Sequence, residues 1–267
     1  MAGCAGNLCD FEREYQLAHA PALLAIDRAV RNADYGGTSW TTREQAESAA
    51  AALRLQPGRA LLEIGAGAGW PSLLMARLTG CEAVLTDPSI TALRLARERG
   101  RREKLLARPI MVAADGAALP FRDASFDAIH HADVLCCMPR KHRLLRECRR
   151  VGRMGARMAF SVISLARPPE NAEEANLLQL SGPSHPDAQA DYAELLGATG
   201  WRLEERGDVT SEFLRSMEVL LQQFELRRAD LVSLLGAEDY EARVARRCNA
   251  RAAVERGLLR REWFVVR

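Results

Sequence analysis

The sequence predicts an α/β fold with a doubly wound, mostly parallel sheet, and three observations support this prediction. A short apolar run at residues 60–64 is followed at once by a glycine-rich turn and then by a helix-forming stretch. A second apolar run at residues 81–86 ends at Asp87. Apolar runs then continue to alternate with amphipathic stretches, which is the pattern of strands joined by right-handed helical crossovers.

The chain before the first strand predicts two helices and a loop. Residues 12–31 have the spacing of one amphipathic helix, and residues 42–55 are alanine-rich, with Thr41 as a possible N-cap. Residues 34–40 lie between them and contain too many glycines and polar residues for a helix. We expect a loop there that carries Tyr35 and Trp40.

The remaining elements follow in order. Pro71 suits the first turn of a helix at residues 72–78, and Gly200 closes a helix at residues 192–199. The prolines in residues 168–187 predict a loop with at most a short helix. The predicted strands are residues 60–64, 81–86, 109–113, 126–130, 157–163, 201–209 and 258–266.

Four segments are expected along the chain. They are an N-terminal helical segment with a flap (1–56), a nucleotide-binding core (57–210), a helical insertion (211–256) and a final strand (257–267). Apolar residues of the insertion recur at helical spacing, so it forms either a helical pair at the sheet edge or a lid over the site. If it is a lid, we expect either Met217 or Phe224 to face the cleft, and the sequence does not distinguish them.

The glycine turn predicts a site for an adenosine derivative. Glycines at 65, 67 and 69 let the backbone approach a ligand closely, and Asp87 is placed to accept the hydroxyl protons of a ribose. Trp70 occupies the position where a dinucleotide site needs a small residue, which argues against a pyrophosphate. Glu63 offers a carboxylate to a cationic ligand, and S-adenosylmethionine carries both an ammonium and a sulfonium.

Four ordered stretches resemble the motifs of class I S-adenosylmethionine-dependent methyltransferases, of the small-molecule, methyltransferase type 11-like kind. They are residues 63–69, 86–89, 113–121 and 125–129. The resemblance implies a Rossmann-like seven-stranded sheet whose last strand is antiparallel. Residues 152–155 depart from the Lys-Pro-Gly-Gly loop that the family usually has before its fifth strand.

The resemblance also implies the residues of the cofactor site. Gly65 and Gly67 would line the cofactor, Asp87 would bind the ribose, and Asp115 would bind the adenine amino group. It further favours a flap over a plain surface turn for residues 34–40. The full expected set is Trp40, Glu63, Gly65, Ala66, Gly67, Asp87, Pro88, Ser89, Asp115, Gly116, Ala117 and His131.

The expected reaction is an in-line methyl transfer to a small-molecule acceptor, which depends mainly on positioning and exclusion of water. A general base is needed only if the acceptor loses a proton. The candidates are His130, His131, Asp133, Tyr35 and His185, and we select His131 and Tyr35 as catalytic residues. The alternatives are methylation of protein or nucleic acid, a non-catalytic S-adenosylmethionine-binding protein and, least favoured, an NAD-dependent dehydrogenase.

Composition excludes other classes. The chain has 267 residues and a net charge of +2, which gives no strong field for nucleic acid. No apolar run is long enough for a membrane span, and the acidic N-terminal region is unlike a secretory leader, so we expect a cytoplasmic protein.

The seven cysteines are odd in number and lack regular Cys-x-x-Cys spacing, which predicts reduced thiols and no metal site. The adjacent thiols Cys136 and Cys137 have two interpretations. Plain packing is favoured over binding of a soft metal.

Overall fold

The computed structural model describes residues 5–36, 38–105, 107–186 and 191–267. In this part of the chain a seven-stranded sheet has the order β3-β2-β1-β4-β5-β7-β6. Strands β1 to β5 are parallel, and β7 runs antiparallel to both β5 and β6. The strands are β1 Ala60–Ile64, β2 Glu82–Asp87, β3 Ile110–Ala113, β4 Phe126–Ala132, β5 Gly152–Leu165, β6 Leu203–Asp208 and β7 Leu259–Val266. The predicted α/β fold with an antiparallel last strand is confirmed.

Helices cover both faces of this sheet. They are α1 Ala5–Gln16, α2 Pro21–Arg31, α3 Arg43–Ala52, α4 Ser72–Thr79, α5 Ile90–Arg102, α6 Lys141–Val151, α7 Ala172–Gln179, α8 Tyr192–Ala198, α9 Thr210–Leu226, α10 Arg228–Leu235 and α11 Ala237–Glu255. Within the described ranges, no helix is both long and apolar enough to cross a membrane.

Side-chain alternation along the strands produces two cores. In β1, Leu61 belongs to one buried cluster and Leu62 to the other, because successive strand residues point to opposite faces. In β4, Ala128 and Ile129 divide in the same way. The strand order reverses between β1 and β4, and in sheets of this kind a crevice opens at the carboxyl ends of the strands around such a point.

Three predicted helix details were wrong. The expected helix 12–31 is two helices, α1 and α2, and α2 begins at Pro21, whose fixed φ suits the first turn of a helix. The N-cap of α3 is Thr42, not Thr41: Thr42 accepts a hydrogen bond from the Gln45 amide, and Gln45 bonds back in a capping box. The insertion holds three helices, α9 to α11, not a pair.

Most strand bounds differ from the prediction by one or two residues, but the start of β5 moves further. It was expected at residue 157 and lies at Gly152, so the expected turn at 152–155 forms the irregular start of the strand. Gly155 has φ +79°, which glycine adopts without strain, and the register between β4 and β5 shifts here.

One buried arginine ties the sheet to the helices that precede and follow it. Arg261, on β7, is 1% exposed and binds both carboxylate oxygens of Asp133, which follows β4, each at 3.0 Å. The same guanidinium donates to Ser161 of β5 at 2.8 Å and to Gln45 of α3 at 3.0 Å. The Arg261 backbone bonds to Thr210, the first residue of α9. Elements that lie far apart in the sequence therefore meet at one charged residue.

We expect Arg261→Met to lower the free energy of unfolding by about 3–5 kcal/mol, because the Asp133 carboxylate then stays buried without its partner. Urea unfolding measures this change. The control Arg215→Met removes an arginine whose side chain is 70% exposed, so it should change stability by less than about 0.5 kcal/mol. Equal effects of the two substitutions would show that the Arg261 network does not support the fold.

Candidate active site

A cavity of about 440 Å³ opens at the carboxyl ends of the central strands. Its volume lies in the range typical of small-molecule sites. The N-terminal helices, the loop after β4 and the insertion complete its wall. The predicted site residues that line it are Trp40, Gly65, Ala66, Gly67, Asp87, Pro88, Asp115 and Gly116.

The glycine turn after β1 forms one wall because side chains are excluded there. Gly65 and Gly67 have φ values of +67° and +52°. A Cβ on Gly65 would lie 2.6 Å from Val134, and one on Gly67 would lie 2.9 Å from the Tyr15 hydroxyl. A side chain at either position would therefore force a neighbouring side chain to move, whereas glycine presents bare backbone to the cavity.

Asp87 fixes the shape of this turn. One carboxylate oxygen accepts the Gly67 amide at 2.9 Å, and the other accepts the Ser89 amide at 2.8 Å. Burial raises the pKa of Asp87, and these two amide bonds oppose that shift. Each carboxylate oxygen has further acceptor capacity, so Asp87 can also receive two hydroxyl protons from a ribose.

Asp115 and Gly116, after β3, form the neighbouring wall. Asp115 accepts the Ala117 amide at 2.9 Å and is otherwise exposed, so it can accept from a ligand amino group. A Cβ on Gly116 would lie 2.8 Å from Ile64. These features fit an adenosine-containing cofactor: a carboxylate for the ribose, a second for the base, and side-chain-free backbone between them.

Two predicted cofactor residues stand behind this wall. Ser89 is 1% exposed and caps α5 by accepting the Ala92 amide. Ala117 contributes its backbone amide to Asp115 but does not line the cavity. Both support the loops that carry Asp87 and Asp115, so their assignment as contact residues is corrected.

The two aromatic residues of the predicted flap, Trp40 and Tyr35, have different positions relative to the cavity. Trp40 lines the cavity, with its ring edge-on to Phe213 of α9 at a centroid distance of 5.0 Å. Tyr35 points away from the cavity: its hydroxyl bonds Glu103, and its ring lies against Trp70 and under the Arg99 guanidinium. A tyrosine held in this way does not reach an acceptor, so the catalytic assignment of Tyr35 is corrected.

Glu63 is also turned away from the cavity. Its carboxylate is 1% exposed and pairs with His130 Nδ1 at 2.8 Å, across β1 and β4. Neither residue lines the cavity. The expected contact between Glu63 and a cationic ligand is therefore replaced by a buried Glu–His pair inside the sheet.

His131 lies in the core. It is fully buried, stacks on Phe160 at a centroid distance of 4.7 Å and does not line the cavity. Burial lowers the pKa of His131 to about 3, with a smaller contribution from His130. Strand β4 runs two residues further than expected, so Ala132 and Asp133 reach the cavity in place of the histidines. The choice of His131 as base and cofactor contact is corrected.

Sequence reasoning missed several cavity residues. Tyr15 of α1 lies over the glycine turn, and burial, followed by the nearby Asp87 charge, raises the pKa of Tyr15. Glu14, Arg246 and Arg247 also line the cavity. These residues lie far along the chain from the motifs, and amphipathic periodicity alone does not separate a cavity-facing helix position from a core one.

Cys136 and Cys137 both line the cavity. The Cys136 thiol donates to the Asp133 carbonyl at 3.0 Å. A hydrogen bond between the two thiols raises the pKa of Cys136 and lowers that of Cys137. The five cysteines from Cys81 onward are free thiols, and the described residues contain no group of three or more metal-binding side chains. Cys4 lies outside the described residues, as does the Cys9 side chain.

Comparison with known proteins gives a consistent result. Residues 62–160 match a family described as methyltransferase domain. The chain is 30% identical to methyltransferase GfsG of Streptomyces halstedii, over 70% of this chain and 66% of that protein. It is 29% identical to 27-O-demethylrifamycin SV methyltransferase of Amycolatopsis mediterranei, over 73% of this chain and 72% of that protein.

A solved structure shares the fold. The cyclopropane synthase MmaA2 from Mycobacterium tuberculosis superimposes with a TM-score of 0.82 and 14% identity, over 96% of both chains. Coverage of the curated relatives is uneven, since the chain spans 40% of phosphoethanolamine N-methyltransferase 1 from Zea mays, at 27% identity over 77% of this chain.

We expect His131→Leu to make stability less sensitive to acid. The folded-state pKa of about 3 lies below the unfolded value of about 6.5, so the wild type loses this contribution as the pH falls below about 6.5. From about pH 7 to about pH 5 the loss attributable to His131 is about 2 kcal/mol. Urea unfolding at both pH values should show a correspondingly smaller decrease in the variant. The same decrease in both proteins would contradict a buried, neutral His131.

Proposed function

The chain belongs to the class I S-adenosylmethionine-dependent methyltransferase family, and from that premise we propose that it transfers a methyl group from S-adenosylmethionine to a small-molecule acceptor. One observation carries the proposal. Asp87 holds the Gly67 amide while both residues face a cavity large enough for a small-molecule ligand.

The cofactor supplies an activated methyl group on a sulfonium. This chain contributes recognition at the adenosine end, where Asp87 accepts the ribose hydroxyls and Asp115 the adenine amino group. The turn at Gly65 and Gly67 brings backbone amides to the ligand, and Tyr15 and Trp40 cover it from the N-terminal side.

Catalysis in this proposal relies on positioning and on exclusion of water. Both histidines of β4 are buried in the protein interior, and neither lines the cavity. Asp133 lines the cavity, but its carboxylate is ion-paired with Arg261. Transfer to an acceptor that needs no deprotonation fits this arrangement best. The insertion would close the acceptor side, because Phe213, Arg247 and Ala250 line the cavity, whereas Met217 and Phe224 lie in the core and do not. The cytoplasmic location stays a prediction.

Turnover tests the proposal directly. The purified protein is incubated with radiolabelled S-adenosylmethionine and a panel of small-molecule acceptors, and we expect label transfer together with release of S-adenosylhomocysteine. Asp87→Ala, tested in parallel, should weaken cofactor binding about tenfold to a hundredfold, since it removes two charged hydrogen bonds. Tight cofactor binding without transfer to any acceptor would favour a non-catalytic binding protein.

A pair of glycine substitutions tests the cofactor wall. We expect Gly67→Ala to weaken S-adenosylhomocysteine binding at least about tenfold, or about 1.4 kcal/mol, because the new Cβ would press on Tyr15 and strain a backbone at φ +52°. Gly155→Ala is the matched control: its φ is +79°, but nothing lies within 4 Å of the new Cβ.

Isothermal titration calorimetry gives the affinities, and thermal unfolding shows that both variants fold. Gly155→Ala should keep the wild-type affinity while it loses some stability through the same backbone cost. Unchanged affinity in a folded Gly67→Ala would place the cofactor elsewhere.

A further inference from the structure

Two arginines of α11 face the cavity and have no carboxylate partner among the described residues. Arg246 and Arg247 both line it, and neither forms an ion pair with any residue in the described part of the chain. The Arg246 guanidinium has one hydrogen bond, to the Gly182 carbonyl at 3.4 Å. The Arg247 guanidinium lies 5.3 Å from the ring centre of Trp40, in a cation–π contact.

Two acidic side chains of the N-terminal helices are already engaged by other arginines. Asp27 pairs with Arg31 within α2, and Glu14 of α1 pairs with Arg243 of α11. Besides burial, the main influences on the pKa of Arg247 are Arg246, Arg31 and Arg243, which lower it, and Glu14, which raises it. Positive charge is therefore in excess on this part of the wall.

Arg247 is the more enclosed of the two arginines. Burial lowers the pKa of Arg247 to about 10, and the neighbouring Arg246 contributes in the same direction. A guanidinium in such a place is stabilised by an anionic partner, which restores the charge balance and accepts its hydrogen bonds.

The arginines and the adenosine wall belong to different parts of the fold. Asp87 and Asp115 end β2 and β3, at one side of the sheet, whereas α11 packs against α9, α7 and β7, at the other side. Apolar side chains of Met138, Phe213 and Leu259 line the same cavity. This end of the cavity thus combines an apolar surface with two cations that form no ion pair within the described ranges.

We propose that the methyl acceptor carries an anionic group, a carboxylate or a phosphate, on an apolar body, and that Arg246 and Arg247 bind that group. That the bound anion is the methyl acceptor rests on the proposed function. The anion site itself does not depend on methyl transfer. Each arginine can donate in a bidentate manner to a planar carboxylate or to a phosphate. The Trp40 ring holds the Arg247 guanidinium in place for this contact.

A matched pair of fluorescent probes tests the anion site. Anilinonaphthalene sulfonate is anionic, and phenylnaphthylamine has the same apolar rings without the charge. We expect Arg247→Met and Arg246→Met each to weaken binding of the sulfonate about tenfold and to leave the neutral probe unchanged. Arg247→Lys should keep part of the preference because the charge remains.

Arg251→Met is the control, because Arg251 lies on the same helix, pairs with Glu255 at 3.4 Å and does not line the cavity. It should leave both probes unaffected. Arg246 is exposed, so its substitution tests the site even if Arg247→Met folds poorly. The proposal is overturned if the arginine substitutions alter both probes equally, or alter neither.

Displacement separates the two anion chemistries. Phenylbutanoate and phenyl phosphate are each titrated against the bound sulfonate probe, and the stronger competitor identifies a carboxylate or a phosphate acceptor. Failure of both at millimolar concentration overturns the proposal. S-adenosylhomocysteine binding is measured separately: its absence would defeat the proposed function, while arginine-dependent probe binding would still support the anion site.

Discussion

The Arg261–Asp133 ion pair is the constraint on which the cavity depends. It joins β7 to the residue after β4. Arg261 also reaches the N-terminal helices through Gln45, and the insertion through the hydrogen bond from its backbone amide to the Thr210 hydroxyl. Both covers of the cavity are thereby fixed to the sheet at one point. A buried charge is tolerated here because nearly every donor of the guanidinium has an acceptor, and each contact comes from a different element.

Charge is divided between the two ends of the cavity. Carboxylates of Asp87 and Asp115 stand at the ends of β2 and β3, where a nucleoside offers hydroxyl and amino donors. The guanidinium groups of Arg246 and Arg247, which have no ion pair in the part of the chain that the structure describes, lie on the insertion side. This polarity gives each end its own ligand chemistry, so that cofactor and acceptor would bind without competing for the same groups. The assignment of the cofactor end follows from family membership, and the assignment of the acceptor end follows from the arrangement of Arg246 and Arg247.

Three side chains that the sequence offered as possible bases, His130, His131 and Tyr35, have structural roles instead. Parallel strands are covered by helices on both faces, so a histidine within β4 is buried whichever way it points. His130 gains a carboxylate partner in Glu63, and His131 packs as a neutral ring on Phe160. Tyr35 is held by Glu103 and Arg99. A methyl transfer that depends on positioning has no need of them.

The sequence by itself determined the sheet, the glycine turn and the acidic residue after β2, because these depend on local hydrophobic period, backbone freedom and spacing. Gly65, Gly67 and Asp87 were found in this way, Asp115 was implied by the family resemblance, and all four line the cavity. The ends of the strands and the N-cap of α3 were predicted less well. Extending a strand by one residue changes which side chain lies at the edge of the sheet. Only the tertiary structure decided that Tyr15 and Arg247 face the cavity while His131 does not. Burial depends on packing between segments distant in the chain, and no local pattern records which face another segment will cover.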